Sequence, residues 1–424
     1  MPGLGRVLFL LSIWPEEQSS AASNRSLQLA EALREAGYDL VLAADGREKA
    51  ACEALRARGF SCVRLLANDA SFEEYLQHAP PDWVLFDRFA TEEKYGWRVR
   101  AICPEAIRVL DTIDLHFVRV ARELSRDETS LRSLPAAELL PLVPEAAARE
   151  VAAIYRCDLS LVVSDVEYEI LIKECQVPAS LLLLCRLFYN KAPEPLAYSQ
   201  RKDFAMIGNF RHAPNQDSFQ LLCERLWPRI RAALPEANLH IYGAQAGPQH
   251  KAWHAPDQGL WVHGQARTLA EALQGVRVNL APLRFGAGIK GKIADGWWFG
   301  TPVVTGPVGA EGMSEDLPFG GVVVSAYDDF IEAAIRLYTD EELWHQSSQA
   351  GSHILQVLYS YQATMQVFLQ AWGALRQDVQ ARRRRNFTGT ILAQEGLRAS
   401  EYFSRWVELK QKCQRSGCGP SATP

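Results

Sequence analysis

Short apolar runs alternate with helical patterns along most of the chain, and this alternation limits the fold more than any other feature. Uninterrupted apolar runs are typical of strands that a parallel sheet buries on both faces. Strands that alternate with helices indicate βαβ units and a doubly wound α/β fold. We predict strands over Val7–Ile13, Tyr38–Ala43, Trp83–Phe86, Arg108–Leu110, Leu159–Val163, Phe204–Ile207, Leu239–Tyr242, Trp261–His263, Val278–Leu280, Val303–Val304 and Val322–Val324.

The alternation stops and restarts once, which predicts two domains. Residues 190–200 carry two prolines and several polar side chains, as an interdomain linker does. A chain of 424 residues is also too long for one compact core. We therefore predict an N-terminal domain over residues 1–195 and a C-terminal domain over 200–355. A helix over 356–380 and a helical or flexible tail over 381–424 complete the chain.

Composition and charge limit the classes of partner. The chain has 45 basic and 50 acidic residues and a formal charge of −5, whereas nucleic-acid binders carry a basic surplus. No apolar run approaches the roughly 20 residues of a membrane-spanning helix. The nine cysteines are scattered, so we predict reduced thiols in a cytoplasmic protein. For the run Arg382–Arg385, contact with a membrane surface stays open beside the alternative of a solvated helix end.

The N-terminal apolar run predicts the first strand of the sheet. Residues 7–14 are few for the hydrophobic region of a signal peptide, and no small-residue cleavage site follows them. A buried strand of a parallel sheet accounts for the same pattern.

A glycine-rich segment in the second half carries the clearest chemistry. A strand ends near Leu283, a loop spans Gly286–Gly291, and a short helix covers Lys292–Phe299. Glycines let the backbone approach a ligand closely. The helix that follows directs its free N–H groups and positive dipole end towards the loop. The segment therefore predicts an anion-binding site, although a glycine-rich turn with solvated lysines is the alternative.

Charged residues of this segment follow the order of groups in a nucleoside diphosphate. Lys290 and Lys292 supply positive charge for a diphosphate. Asp295 lies about one turn into the helix, where a carboxylate accepts hydrogen bonds from ribose hydroxyls. Phosphate and then ribose is the order that this arrangement predicts.

The segment resembles the donor site of GT-B fold glycosyltransferases, in particular the retaining family 4 group (glycosyl transferases group 1). The group's phrases correspond here to Gly286–Lys292, Asp295-Gly296, Gly300–Val304 and Gly309–Gly312. Residues 207–215, 240–243, 262–264, 111–122 and 162–167 resemble further segments of the group, so that the resemblance covers about residues 5–375.

The resemblance implies a GT-B fold, in which two Rossmann-like, doubly wound domains face each other across a cleft, with a helical C-terminal extension. The helix over 356–380 would then pack back on the N-terminal domain. The second domain would hold a nucleotide-sugar donor, and the first would hold the acceptor. Transfer would retain the anomeric configuration and would require no metal and no cofactor besides the donor.

The resemblance also implies roles for individual residues. Arg211, Lys290 and Lys292 would neutralise the leaving diphosphate, where negative charge grows in the transition state. Asp295 would hold the ribose, and His116 would lie near the transferred sugar. The predicted catalytic residues are His116, Arg211 and Lys290, and the predicted donor-binding residues are Gly208, Gly264, Gly286, Gly288, Ile289, Lys290, Lys292 and Asp295.

Two departures from the group's pattern leave alternatives to a transferase of glycan or envelope polysaccharide assembly. Asp295 stands where the group has Glu, and Ala287 lies at about the place of the group's first acid. The alternatives are a nucleotide-sugar epimerase or another reaction on the same scaffold, and a non-catalytic homologue that organises a glycosylation complex.

Two further clusters follow strands of the first half. Asp111, Asp114 and His116 suit a metal triad or a hydrogen-bonded turn equally well. Asp87 and Arg88 follow the strand over 83–86, at a sheet edge where ligands gather, although an ordinary ion pair is the alternative there.

Overall fold

The computed structural model describes residues 4–16, 20–46 and 49–394, and they form two α/β domains, each built around one parallel sheet. This architecture confirms the predicted fold class. The strands of the first sheet are β1 (Arg6–Leu10), β2 (Asp39–Ala44), β3 (Ser61–Arg64), β4 (Trp83–Asp87), β5 (Ile107–Asp111), β6 (Leu159–Val162) and β7 (Leu182–Leu184). Those of the second are β8 (Lys202–Ile207), β9 (Leu239–Tyr242), β10 (Leu260–Gly264), β11 (Val276–Ala281), β12 (Val303–Thr305) and β13 (Gly321–Val323).

Helices cover both faces of each sheet. The first domain contains α1 (Ala21–Glu35), α2 (Lys49–Ala57), α3 (Ala70–His78), α4 (Phe89–Ile102), α5 (His116–Leu124), α6 (Ala136–Leu139), α7 (Pro144–Arg156) and α8 (Asp165–Lys173). The second contains α9 (Ala213–Leu221), α10 (Trp227–Ala233), α11 (Pro248–Lys251), α12 (Leu269–Leu273), α13 (Gly291–Trp298), α14 (Pro307–Ala310), α15 (Tyr327–Thr339) and α16 (Glu341–Leu358). The described chain ends with α17 (Tyr361–Arg385) and α18 (Phe387–Ala393).

The eleven predicted strands all correspond to strands of the structure, and β3 and β7 were missed. Both lie at an edge of the first sheet and are three or four residues long. An edge strand has only one neighbour and is partly exposed, so β3 lacks the apolar run of a central strand. The consecutive leucines of β7 are a signal that could have revealed it.

The order of strands places one crevice in each sheet. The first sheet has the order β3-β2-β1-β4-β5-β6-β7 and the second β10-β9-β8-β11-β12-β13. The order therefore reverses between β1 and β4 in the first sheet, and between β8 and β11 in the second. Ligands of open α/β sheets bind at the carboxyl ends of the strands beside such a reversal.

The C-terminal helix α17 returns to the first domain and completes its core. Phe368, Trp372 and Leu375 are buried in the same cluster as residues of β1, β4 and β5. The ring of Trp372 stacks on that of Trp83, with centroids 4.5 Å apart and planes inclined by 18°. The last helix of the described chain, α18, packs against α7.

The predicted tail over residues 381–424 begins inside α17, and its residues 395–424 lie outside the described residues. Within the basic run, Arg383 donates to both carboxylate oxygens of Asp158, and Arg382 donates to Asp378 and to the carbonyl of Ser180. Arg384 and Arg385 are exposed. In the part of the chain that the structure describes, no helix has both the length and the apolar character to cross a membrane.

We expect Trp372→Ala to destabilise the protein by about 3–5 kcal/mol, because truncation of a buried aromatic side chain leaves a cavity. The measurement is the midpoint of urea unfolding followed by circular dichroism. Val367→Ala on the same helix is the control, since Val367 is 47% exposed and should change stability by no more than about 0.5 kcal/mol. Equal midpoints for the two variants would contradict a structural role of α17 in the first domain.

Candidate active site

The glycine-rich loop between β11 and α13 can adopt its conformation because of its glycines. Gly286 has φ of 152° and Gly288 has φ of 64°, which L side chains rarely adopt. Gly291 begins α13, and a Cβ atom added to it would lie 2.4 Å from the Cβ of Ala21 in α1. The loop and the start of its helix thus lie directly against the first domain.

Gly288 makes a second close approach to the first domain. A Cβ atom added to Gly288 would lie 2.9 Å from the Cβ of Asp114 and 3.1 Å from the carbonyl oxygen of Ile113. Its N–H donates to Oε1 of Glu167 at 2.7 Å, and the N–H of Leu115 donates to the same oxygen at 2.8 Å. Burial, followed by the charge of Asp114, raises the pKa of Glu167 to about 7. Glu167 therefore joins the loop of one domain to the turn after β5 of the other.

A buried ion pair holds the other end of the loop. Arg122 of α5 donates to the two carboxylate oxygens of Glu311 at 2.9 and 2.6 Å, and to the carbonyl of Gly286 at 2.9 Å. Bidentate arginine–carboxylate pairs are both strong and geometrically specific. The pair fixes the segment after β12 and the glycine loop to the same helix of the first domain.

Lys290 is buried and faces carboxylates of the cleft. Its Nζ donates to the carbonyl of Gly288 at 2.6 Å. Burial lowers its pKa to about 8, against the raising effect of Glu311 and of Glu167. The ammonium group thus helps to keep the loop folded, in addition to the diphosphate role predicted for it.

Lys292, one residue into α13, faces the start of α9. Its Nζ donates to Oδ1 of Asn215. Burial and the neighbouring charge of Lys290 lower its pKa to about 7. Burial and the charge of Lys292 also lower the pKa of His212 to about 4. These shifts have the direction expected where cations gather in a poorly solvated cleft.

Asp295 lies on α13 beyond the two lysines and is half-buried. The hydroxyl of Tyr189 donates to its Oδ1 at 2.7 Å, and its Oδ2 has no hydrogen bond to any described residue. Burial raises the pKa of Asp295 to about 6, although the bond from Tyr189 lowers it. The carboxylate therefore keeps one oxygen available to a ligand.

Across the cleft, the turn after β5 presents a cluster around Asp114. Nε2 of His116 lies 3.3 Å from its Oδ1, and Arg119 donates to its Oδ2 at 2.7 Å. Burial would raise the pKa of Asp114, but His116 and Arg119 hold it below the usual range. Arg119 also lies 3.2 Å from Nε2 of His212 in the second domain. Glu150 accepts a bond of 3.1 Å from the backbone N–H of His116 and fixes the start of α5.

The same cluster supports the hydrogen-bonded turn rather than the metal triad. Asp111 is fully buried and pairs with Arg25, whose NH2 lies 2.8 Å from Oδ1. Asp114 is engaged with His116 and Arg119, as above. Among the described residues, no group of three or more His, Cys, Asp or Glu side chains is arranged to hold a metal ion.

The remaining predicted residues lie at other points of the second sheet's carboxyl edge. Gly208 follows β8, where an added Cβ would lie 2.7 Å from the side chain of Asn215. Gly264 ends the edge strand β10, with φ of 83° and no atom within 4 Å of an added Cβ. Arg211 is exposed in the loop before α9, and Ile289 is half-buried against an apolar cluster of its own domain.

The structure thus brings Lys290, Lys292 and Asp295 onto one loop and helix, with His116 in the facing turn. Sequence reasoning gave no role to Arg122, Glu167, Tyr189 or Glu311. Glu311 and Glu167 lie in segments that resemble the glycosyltransferase group. The sequence could therefore identify them as candidates, but it could not indicate which residues they contact. Tyr189 is 106 positions from Asp295, and no local pattern links the two.

The C-terminal domain matches a family model. Residues 201–340 match the model of glycosyl transferases group 1, a range that contains β8 to α15 and the whole glycine-rich loop. No curated protein matches the chain in sequence.

Solved structures of low sequence identity share the fold. Sucrose-phosphate synthase from Thermosynechococcus elongatus superposes with a TM-score of 0.66 at 15% identity, over 89% of this chain and 100% of that chain. A TarM variant from S. aureus, in complex with fondaparinux, α-GlcNAc-glycerol and UDP, gives 0.65 at 9%, over 87% and 99%. HepE from Anabaena, in complex with UDP and glucose, gives 0.63 at 10%, over 88% and 100%. These likenesses show that the chain has the GT-B fold.

We expect Gly288→Ala to loosen the contact between the domains, because the new Cβ meets Asp114 and a left-handed residue other than glycine costs roughly 1–2 kcal/mol. The thermal unfolding midpoint should fall by about 2–4 °C per kcal/mol, and nucleotide affinity should fall with it. Gly275→Ala is the matched control, since its added Cβ meets nothing within 4 Å. An unchanged midpoint in the Gly288 variant would show that the approach is not tight.

Proposed function

We propose that the protein is a glycosyltransferase that moves a sugar from a nucleoside-diphosphate sugar to an acceptor hydroxyl. The observation that carries this proposal is the loop and helix over residues 286–298, where Lys292 and Asp295 follow a glycine turn that faces the Asp114–His116 turn of the other domain. The match of residues 201–340, which include this loop, to glycosyl transferases group 1 also supports it. The structures of HepE and TarM that resemble this fold contain UDP.

In this proposal the second domain binds the donor. The N-terminus of α13 and Lys292 stabilise the diphosphate, because the positive end of a helix dipole and an ammonium group both favour an anion. Arg211, exposed in the loop before α9, supplies a further positive charge for the same group. The free oxygen of Asp295 accepts from a ribose hydroxyl, and Gly264 leaves room for the base at the edge of the sheet.

The reaction breaks the bond between the anomeric carbon and the diphosphate and forms a bond from that carbon to the acceptor oxygen. The acceptor proton leaves on an oxygen of the departing nucleoside diphosphate, so that atoms and charge balance. Negative charge grows on the diphosphate, where Lys292 and Arg211 stabilise it more in the transition state than in the ground state. His116, held by Asp114 and Glu150, hydrogen-bonds a hydroxyl of the transferred sugar.

We further propose a hexosyl donor, retention of configuration, no requirement for a metal, and a role in glycan or envelope polysaccharide assembly. The supporting feature for metal independence is that the positive charge for the leaving group comes from side chains and from a helix N-terminus. Cytoplasmic localisation and contact with a membrane surface stay predictions.

A panel of UDP-, GDP-, ADP- and dTDP-sugars with mixed acceptors tests the function. We expect free nucleoside diphosphate to form only when an acceptor is present, and NMR of the product to show the donor's anomeric configuration. Conversion of the sugar without release of nucleoside diphosphate would indicate an epimerase instead. Donor binding without turnover across the panel would favour the non-catalytic homologue, for which Ala287 and Asp295 are the motivating departures.

The lowered pKa of Lys292 predicts that donor binding takes up protons. Its pKa is about 7 instead of 10.5, so at pH 8 it is mostly neutral, and a bound diphosphate favours the charged form. UDP-glucose binding at pH 8 should take up as much as about one proton, and affinity should fall as pH rises above 7. At pH 6 Lys290 and Lys292 are both already charged, so proton uptake on binding should nearly vanish.

Calorimetry in two buffers of different ionisation enthalpy measures this uptake. Lys292→Met should remove most of it, and Lys202→Met is the control because Lys202 begins β8, at the opposite end of the strand from the site. Undiminished uptake in the Lys292 variant would contradict direct contact with the diphosphate.

A further inference from the structure

The first sheet has its own crevice between β1 and β4, and the donor site leaves it unused. The strand order reverses at this point, as it does between β8 and β11 in the second sheet. Ser12 follows β1, and Asp87 and Arg88 end and follow β4. The same rule that locates the donor site in the second domain therefore locates a second ligand position here.

Arg88 has a backbone conformation that a side chain normally prevents. Its φ is 71° and its ψ is 156°, a region that is essentially restricted to glycine and costs of order 1–3 kcal/mol for other residues. Its N–H donates to the carbonyl of Asp111 at 2.9 Å, which fixes the turn. Glycine would form this turn without the cost, so the side chain is the feature to explain.

The guanidinium group of Arg88 is held by one nitrogen and is otherwise free. NH1 donates to Oγ of Ser12 at 2.5 Å and to Oδ2 of Asp87 at 3.0 Å. Ser12 in turn donates to Asp87 through its N–H at 3.1 Å and its hydroxyl at 2.5 Å. Nε and NH2 of Arg88 bond to no described residue, and the side chain keeps 21% of its surface exposed.

Arg88 lies at the carboxyl edge of the first sheet, beside the turn after β5, because its N–H donates to the carbonyl of Asp111. Burial lowers the pKa of His212 in the opposite domain, and the positive charge of Arg88 contributes to that shift. The same charge helps to hold the pKa of Asp114 low, after the bond from His116 and the charge of Arg119. The side chain thus lies close enough to influence both walls of the cleft.

A fixed guanidinium with a free edge is suited to an oxyanion. Arginine binds carboxylates and phosphates through two parallel N–H donors, with a geometry that lysine cannot reproduce. The donor's diphosphate already has Lys292 and the start of α13 in the second domain. Arg88 is a further cation on the acceptor side. It forms the ion pair with Asp87, but the pair engages only NH1 and leaves Nε and NH2 to a ligand.

We propose that Arg88 determines acceptor specificity by binding an anionic group of the acceptor, a carboxylate or a phosphate, at the crevice between β1 and β4. This inference rests on the proposed function, since the group that it binds belongs to the acceptor of that reaction. Ser12 and Asp87 are positioning residues, because they fix the direction of the guanidinium.

The test uses the full chain and three sugars with the same ring. The protein is first titrated with UDP, GDP and ADP, and is then saturated with the nucleotide that binds, so that the donor's phosphate position is filled. Glucose, glucuronate and glucose 6-phosphate are titrated next by calorimetry or NMR. We expect at least one of the two anionic sugars to bind about tenfold or more tightly than glucose, which corresponds to about 1.4 kcal/mol, and the stronger one identifies the anion.

Two variants of Arg88 and a control variant distinguish the loss of the Arg88 charge from a loss of folding. Arg88→Gln should abolish the preference for the anionic sugar without changing nucleotide affinity. Arg88→Lys should recover part of this preference, because lysine keeps the positive charge but lacks the two parallel N–H donors of the guanidinium group. Arg98→Gln is the matched control, because Arg98 pairs with Glu73 about 15 Å further along the same helix. Thermal unfolding of each variant checks its folding, and the Lys variant keeps the test valid if the Gln variant does not fold.

The outcomes distinguish this inference from the proposed function. Three outcomes would overturn the role of Arg88 while nucleotide binding stands. They are equal affinities for the three sugars, no detectable binding of any of them, and a preference that survives Arg88→Gln. If none of the nucleotides binds, the proposed function fails, and the acceptor role of Arg88 fails with it.

Discussion

The approach of Gly288 to Ile113 and Asp114 is the contact on which the geometry of the cleft depends. A backbone without a side chain lets the loop of the second domain lie against the turn after β5, and the N–H of Gly288 then reaches Glu167. Because the same carboxylate oxygen accepts from Leu115, the two carboxyl edges are held face to face. The distance between α13 and the turn after β5 follows from this arrangement.

Charged residues reinforce the contact between the two domains, and Lys290 and Lys292 differ in their roles. Arg122 and Glu311 form a bidentate pair across the domains, and Lys290 is balanced by carboxylates around it. Lys292 has an amide rather than a carboxylate as its partner, and its pKa is lowered further. A cation with no compensating anion nearby is the one best prepared to gain from a diphosphate. One lysine thus maintains the loop, and the other is the better candidate for the ligand.

The two sheets repeat one arrangement with different chemistry. Each reverses its strand order once, and each places a charged loop at the carboxyl edge of that crevice. In the second domain the loop is rich in glycine and precedes a helix, which suits a diphosphate. In the first domain a strained arginine is held by Ser12 and Asp87, which suits a carboxylate or a single phosphate group. In the proposed function, the two crevices would give a donor and an acceptor separate positions.

The sequence by itself determined the fold class, the division of the strands between two sheets and the glycine-rich loop before α13, because these depend on local patterns. A parallel strand that is buried on both faces requires a run of apolar residues, and a loop with positive φ requires glycines. Both patterns can be recognised within a few neighbouring residues. The short edge strand β3 was missed because its partly exposed residues form no apolar run, whereas the consecutive leucines of β7 did offer such a signal. Only the tertiary structure decided the partners of Glu167, Arg122 and Asp295, and the strain at Arg88. Those contacts join residues far apart in the chain, and chain folding alone brings such residues within the range of a hydrogen bond.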